Sequence, residues 1–298
     1  MREQRPDLAG PVTVATIVRQ VADTLRPSLQ EDAEREARDL VAAAMEQPRF
    51  WPSSSAGARL EAGDARRILA AAERRASGAP LAYSVGTAPF RHLLLGVDER
   101  VLIPRPETEY LIDVLLATPQ GKGGGLAVDV GTGSGAIALA LAGEGHFSRV
   151  VATDISNDAL AVARANVARC ASSLRCAVDL RAGDALAPLH DLGGQVDVLV
   201  SNPPYIAFAE ARDLPPSVRD WEPPQALICP EDGMAVSRAI VTGGAALLRA
   251  GGLLAFETDA RRAGRLADLV RDDGAYEDVR VIPDLTGRDR FVLATRRA

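Results

Sequence analysis

The chain is poor in the residues that hold metals or disulfides. It has three cysteines, Cys170, Cys176 and Cys229, with no Cys-x-x-Cys pair, and three scattered histidines, His92, His146 and His190. That excludes a disulfide framework, predicts no metal site, and fits buried thiols in a reducing compartment. Long apolar runs are also missing: nothing reaches the ~18 residues of a membrane-spanning helix. Met1-Arg2-Glu3-Gln4-Arg5-Pro6-Asp7 leads into no apolar segment with a small-residue cleavage site, so no leader and a cytoplasmic location are expected. Positive charge is in deficit, 34 Lys and Arg against 40 Asp and Glu, a net charge of −6. A dedicated nucleic-acid binder usually carries the opposite balance, because it must neutralise phosphates. What remains is 298 residues, 47% hydrophobic and 25% charged. This is an ordinary globular composition, and its length favours two domains at ~100–200 residues each.

Residues 1–80 read as helical. Stretches 12–25 and 31–45 carry apolar residues at helical spacing, with Pro27 separating them. Asp64 is placed to cap a third helix, 65–77, which stops at Gly78 with Pro80 beyond. Phe50-Trp51-Pro52-Ser53-Ser54-Ser55 reads as a loop. In 81–105, short apolar stretches at 83–85 and 93–97 flank Thr87-Ala88-Pro89 and predict a β-hairpin within a linker. A helix is expected over 107–117. From Gly121 onward, strands at 126–130, 149–153, 177–181, 196–200, 253–257, 278–282 and 290–295 alternate with helices at 136–142, 159–169, 237–248 and 262–271. Alternation of this kind implies βαβ units and a mainly parallel sheet, whose ligands bind beyond the carboxyl ends of the strands.

Two strand ends carry chemistry. The first runs through Asp129-Val130-Gly131-Thr132-Gly133-Ser134-Gly135-Ala136 into a helix. Its glycines let the backbone turn sharply and approach a ligand, and the helix N-terminus offers free N–H groups to an anion. Asp154 ends the second strand, 23 residues beyond Gly131, a natural spacing for an acid that grips ribose hydroxyls. This pattern predicts a nucleotide-type cofactor without saying which one. The fourth strand delivers Ser201-Asn202-Pro203-Pro204-Tyr205 to the same sheet edge. Prolines fix φ and lack N–H groups. The turn can therefore hold the Asn202 side-chain oxygen and the Pro203 carbonyl toward one donor-rich target, with Tyr205 as a flat wall. Two acceptors and a ring suit an –NH2 group on a planar amide or base.

With Asp184 after the third strand, these motifs resemble the class I S-adenosylmethionine-dependent methyltransferases that modify planar nitrogen. More closely, the chain resembles the HemK/PrmC family, the release factor glutamine N5-methyltransferases. Gly78-Ala79-Pro80, Tyr83, Gly86, Phe90, the run Leu102-Ile103-Pro104-Arg105-Pro106-Glu107-Thr108-Glu109, Trp221-Glu222-Pro223 and Gly287-Arg288-Asp289-Arg290 carry that likeness. There are departures from it. Ser84 stands for a leucine, no glycine follows Phe90, Asp259 ends a Glu-x-Gly motif, and Ala185 replaces an aromatic found in some relatives.

The resemblance implies a Rossmann-like α/β fold with a mostly parallel seven-stranded sheet over 106–298, and a helical substrate-recognition domain over 1–80. It implies S-adenosylmethionine as cofactor, held by Gly131, Thr132, Gly133, Ser134, Gly135, Asp154, Asp184, Ala185 and Asn202. Asn202, Pro203, Pro204 and Tyr205 would bind the substrate amide, with Asn202, Pro203 and Tyr205 as the catalytic set. The implied substrate is the glutamine of the Gly-Gly-Gln loop in class I peptide chain release factors, with neither membrane nor direct nucleic-acid partners. A ribosomal-protein glutamine methyltransferase and an adenine-N6 nucleic-acid methyltransferase share such a turn and stand as alternatives. Arg105 and Glu107 read either as surface ion pairs or as part of a segment over the cofactor. Glu222-Pro223 reads as a candidate wall of the substrate channel.

Overall fold

Periodic apolar residues in the N-terminal third form helices in the computed structural model, which describes residues 12–298. The segment 1–7, read above for a leader, lies outside the described residues. Two compact units are present, one ending at Thr87 and taking in Pro216–Trp221, the other made of Ala88–Pro215 and Glu222–Ala298.

In the first unit, α1 (Val14–Leu29), α2 (Ala33–Ala44) and α3 (Ala62–Ala76) share a core that includes Ile17, Val21, Leu25, Leu40 and Ile68. Thr13 caps α1 by accepting from the Thr16 N–H at 3.2 Å. Pro27 does not separate α1 from α2. It sits in the last turn of α1, which ends at Leu29 before Gln30 at φ 46°. Lacking an N–H, Pro27 leaves the Asp23 carbonyl without its i+4 donor, and the helix stops two residues later. Asp64 is not a cap either. The N-cap is Glu61, and Asp64 lies in the first turn, where its charge meets the positive end of the helix dipole. Within the segment read as a loop, Trp51–Ser54 forms a helical turn with a proline in its first turn.

The second unit is built on one sheet. Its strands are β1 (Leu126–Val130), β2 (Arg149–Asp154), β3 (Ala177–Ala182), β4 (Val196–Ser201), β5 (Leu248–Glu257), β6 (Tyr276–Pro283) and β7 (Asp289–Arg296). They lie in the order β6-β7-β5-β4-β1-β2-β3. Only β7 runs antiparallel to its neighbours. The seven-stranded, mostly parallel sheet is thus as the sequence implied. Leu248, read as the end of a helix, opens β5 instead.

One face of the sheet packs on α4 (Pro106–Ala117) and α5 (Ala136–Glu144), the other on α7 (Ala235–Leu247) and α8 (Ala260–Asp273), while α6 (Asn157–Arg169) follows β2. All residues from Ala136 to Ala142 are buried, as expected of a helix that is apolar all round. The β-hairpin forms with a shifted first strand. Thr87–Phe90 pairs with Leu93–Gly96, and residues 83–85 fall in a helical turn, Leu81–Val85. Where a glycine was missing after Phe90, Arg91 takes φ 53° itself, and its guanidinium is held by Glu144 at 2.6 Å and by the Glu109 carbonyl at 2.8 Å. Strand order reverses between β1 and β4, so a crevice opens between their carboxyl ends.

Candidate active site

The turn after β1 is anchored from beneath. β1 is buried on both faces, Asp129 included. Asp129 Oδ2 accepts from Thr132 Oγ1 at 2.6 Å and from the Ala138 N–H at 3.2 Å, tying the turn to the start of α5. Burial outweighs these bonds and pushes the carboxyl up to about 7. Oδ1 has no partner among the described residues. Gly131, Gly133 and Gly135 have φ of 77°, 56° and 86°, a region costly for residues with a Cβ. A Cβ on Gly131 or Gly133 would meet nothing within 4 Å, whereas one on Gly135 would press on Leu139 at 3.2 Å. Two of the glycines therefore keep open space open, and the third lets helix and turn pack.

The turn's amides are largely spent inside the protein. The N–H groups of Gly131 and Thr132 donate to the Thr153 carbonyl, Gly133 to Asp154 Oδ2 at 2.8 Å, and Gly135 to the Thr132 carbonyl. The expectation that free N–H groups greet an anion does not hold at these four positions.

Asp154, at the tip of β2, also accepts from the Ser156 N–H at 2.9 Å, and burial raises its pKa. Each oxygen keeps a lone pair for a hydroxyl partner. Beside it, Ile155 is 53% exposed and lines the cavity, an apolar wall that the sequence reading did not single out. Across β2, Thr153 Oγ1 donates to the Ala185 carbonyl at 3.2 Å, and Ala185 itself sits at φ 42°.

Register brings the third motif alongside: Val130 pairs with Ser201, and Ser201 Oγ donates to the Val130 carbonyl at 2.7 Å. Asn202, Pro203 and Pro204 line a cavity of about 290 Å³ together with Gly131, Thr132, Gly133, Ser134, Asp154, Asp184 and Ala185. Gly135 and Tyr205 are not part of that lining. Tyr205 is half-buried, and burial followed by the nearby Glu257 carboxylate pushes its hydroxyl up to about 12. Asn202 Nδ2 donates to Thr108 Oγ1 at 3.4 Å, and Thr108 donates to the buried Glu257 at 2.7 Å. Thr108 lies in the run 102–109, yet no neighbour along the chain points to this role.

Arg105 lines the cavity and Glu107 does not. Arg105 pairs with Glu222 at 2.5 Å, and the Glu222 side chain is only 1% exposed, which overturns the surface-pair reading. Glu222 also accepts from the Ile103 N–H at 3.3 Å, so it braces the cavity rim while Pro223 forms part of the wall. Asp259, where a glycine was expected, caps α8 and binds the buried Arg262 at 2.8 Å. Arg262 in turn reaches Glu210 at 2.6 Å and the Asp232 carbonyl at 2.7 Å, holding the segment that follows the Asn202 turn.

Comparison with known proteins matches this architecture. Residues 16–86 match the model of the PrmC N-terminal domain, and residues 107–214 that of the methyltransferase small domain. The release factor glutamine methyltransferase of Moorella thermoacetica is 42% identical over 92% of this chain and 99% of its own. That of Mycolicibacterium smegmatis is 45% identical over 75% and 77%. The chain belongs to the release factor glutamine methyltransferase family. At the level of fold, a methyltransferase from Pyrococcus furiosus superposes with a TM-score of 0.51 at 19% identity, covering 70% of this chain and 91% of that one.

As in other methyltransferases of class I, the cofactor is S-adenosylmethionine, and the cavity fits it. The hydrogens of Gly131 and Gly133 leave room where any side chain would intrude, Asp154 offers acceptors to a ribose diol, and Ile155 offers an apolar face.

Proposed function

We propose that this enzyme transfers a methyl group from S-adenosylmethionine to the side-chain amide nitrogen of the glutamine in the Gly-Gly-Gln loop of class I peptide chain release factors. The observation that carries this is the meeting of two strand tips in one cavity. β1 gives the side-chain-free turn, and β4 gives Asn202 with its oxygen unpaired and Pro203 beside it. Asp154 holds the ribose, Asp184 and Ala185 stand by the adenine, and Gly131 to Ser134 admit the methionine end.

An amide nitrogen is a weak nucleophile, because its lone pair is shared with the carbonyl. Asn202 Oδ1 and the Pro203 carbonyl accept its two N–H bonds, which orients the nitrogen and favours the positive charge that grows on it. Tyr205 closes the site behind this turn. The cofactor supplies a methyl group on a sulfonium, activated without a metal. The N–C bond would form as the methyl–sulfur bond breaks, S-adenosylhomocysteine would be the leaving group, and the amide nitrogen would give up a proton to water. Residues 1–80 are the substrate-recognition domain, and the work is cytoplasmic. A net charge of −6 favours a protein over a nucleic acid as the partner.

Mass spectrometry of a release factor incubated with the enzyme and S-adenosylmethionine tests this, with a Gln→Ala loop variant beside it. One methyl gained only when the glutamine is present is the expected result. Methyl on neither factor, with cofactor binding shown by calorimetry, would move the search to ribosomal proteins and adenine bases.

A further inference from the structure

The tips of β4 and β5 lie side by side, with Ser201 paired to Phe256. The next residues, Asn202 and Glu257, are joined through Thr108 in the first turn of α4. Thr108 and Glu257 are both buried, at 4% and 1% exposure. A threonine hydroxyl has one proton, and here it goes to the carboxylate at 2.7 Å. Only lone pairs remain for Asn202. Asn202 must therefore meet Thr108 with its NH2 group, as the 3.4 Å contact has it. That leaves Oδ1, without a partner among the described residues, as the acceptor on a cavity-lining side chain.

We propose that Glu257, acting through Thr108, is a positioning residue that selects the amide orientation in which Asn202 accepts from the substrate. This rests on the role given to Asn202 above.

Reversing the relay shows what it prevents. A protonated Glu257 donates to Thr108, whose own proton then turns to Asn202 Oδ1. Asn202 would face the substrate –NH2 with its own –NH2, donor against donor. The groups around Glu257 set how easily this happens. Burial is the largest influence and raises its pKa to about 7, the Thr108 bond lowers it, Arg290 on β7 and Arg105 before α4 lower it, and Glu107 raises it. Tyr205 also feels this carboxylate, together with Arg290, Asp259 and Arg105.

The test measures kcat on a release factor from pH 6 to 9, with both substrates saturating, for the wild type, Thr108→Val, Thr108→Ser and Glu257→Gln. S-adenosylhomocysteine binding is read by calorimetry, and the Asn202 side-chain amide is followed by nitrogen NMR without cofactor. Thr108→Val should lose about tenfold in kcat, an orienting hydrogen bond's worth, with homocysteine-product affinity little changed. Thr108→Ser should recover the rate. Glu257→Gln can accept from or donate to Thr108, so it should fall several-fold and lose the wild type's decline in rate below about pH 7. The Asn202 resonance should titrate in the wild type and not in Glu257→Gln. Wild-type kcat in Thr108→Val, or an unchanged acid limb in Glu257→Gln, overturns the positioning role while leaving the function intact. A wild type that puts no methyl on the factor overturns both.

Discussion

The two strand tips that meet in the cavity solve opposite problems. After β1 the chain removes side chains: Gly131 and Gly133 border open space, and their amides are already bonded to Thr153 and Asp154. After β4 it adds stiff and polar groups: Pro203, Pro204 and an asparagine whose nitrogen is taken by Thr108. One tip makes a volume and the other makes a direction. On the proposed function, binding falls to one strand and chemistry to the other, and damage to each should look different.

The largest expected effect is at the second tip. Asn202→Ala should lower kcat by ~10²-fold at saturating cofactor, the scale seen when one preorganised polar contact to a reacting group is removed. Steady-state kinetics on the release factor reads it. Next is the first tip. Gly133→Val forces a β-branched residue into φ 56° and fills space that is now empty. It should weaken cofactor binding by about tenfold or more, measured by calorimetry, since left-handed backbone alone costs ~1–2 kcal/mol.

A smaller effect lies behind the glycine turn. Buried Asn166 accepts from the Gly96 N–H at 2.7 Å and donates to the Gly96 and Ser134 carbonyls at 2.9 Å. Asn166→Ala should cost ~1–3 kcal/mol of stability by urea unfolding, because these groups lose their partner.

A separate effect is a pH signature, with one buried carboxyl beside each tip. Burial raises Asp129 and Glu257 from the ordinary carboxylate range up to about 7 in the folded protein. The native state then binds more protons than the unfolded chain across that window, so these groups' contribution is present in acid and lost as pH rises toward about 7. Asp129→Asn should therefore gain stability relative to the wild type between pH 5 and pH 8, as read by paired urea titrations.

Much of this site could be read along the chain because each motif is contiguous. A glycine turn, an acid at the next strand end and an Asn-Pro-Pro-Tyr turn declare themselves locally, and the alternation of strands and helices tells that they share one sheet edge. The relay behind Asn202 could not be read that way. Thr108 and Glu257 are 149 residues apart, and only the fold joins them. Burial of Glu222 and the Arg262 cluster are likewise tertiary facts. So is the conformation of Arg91, which takes a glycine-like φ while Glu144 and Asp113 secure its side chain. The helix ends at Pro27 and Asp64 depart from the sequence expectation for a related reason, since packing decides where a marginal turn stops.

The division between the two tips is tested most directly by measuring methyl transfer against cofactor concentration for Gly133→Val and Asn202→Ala side by side. The account predicts that excess S-adenosylmethionine restores most of the rate to Gly133→Val and leaves Asn202→Ala slow at every concentration. A rate in Asn202→Ala that climbs to the wild-type plateau as cofactor is raised would contradict it.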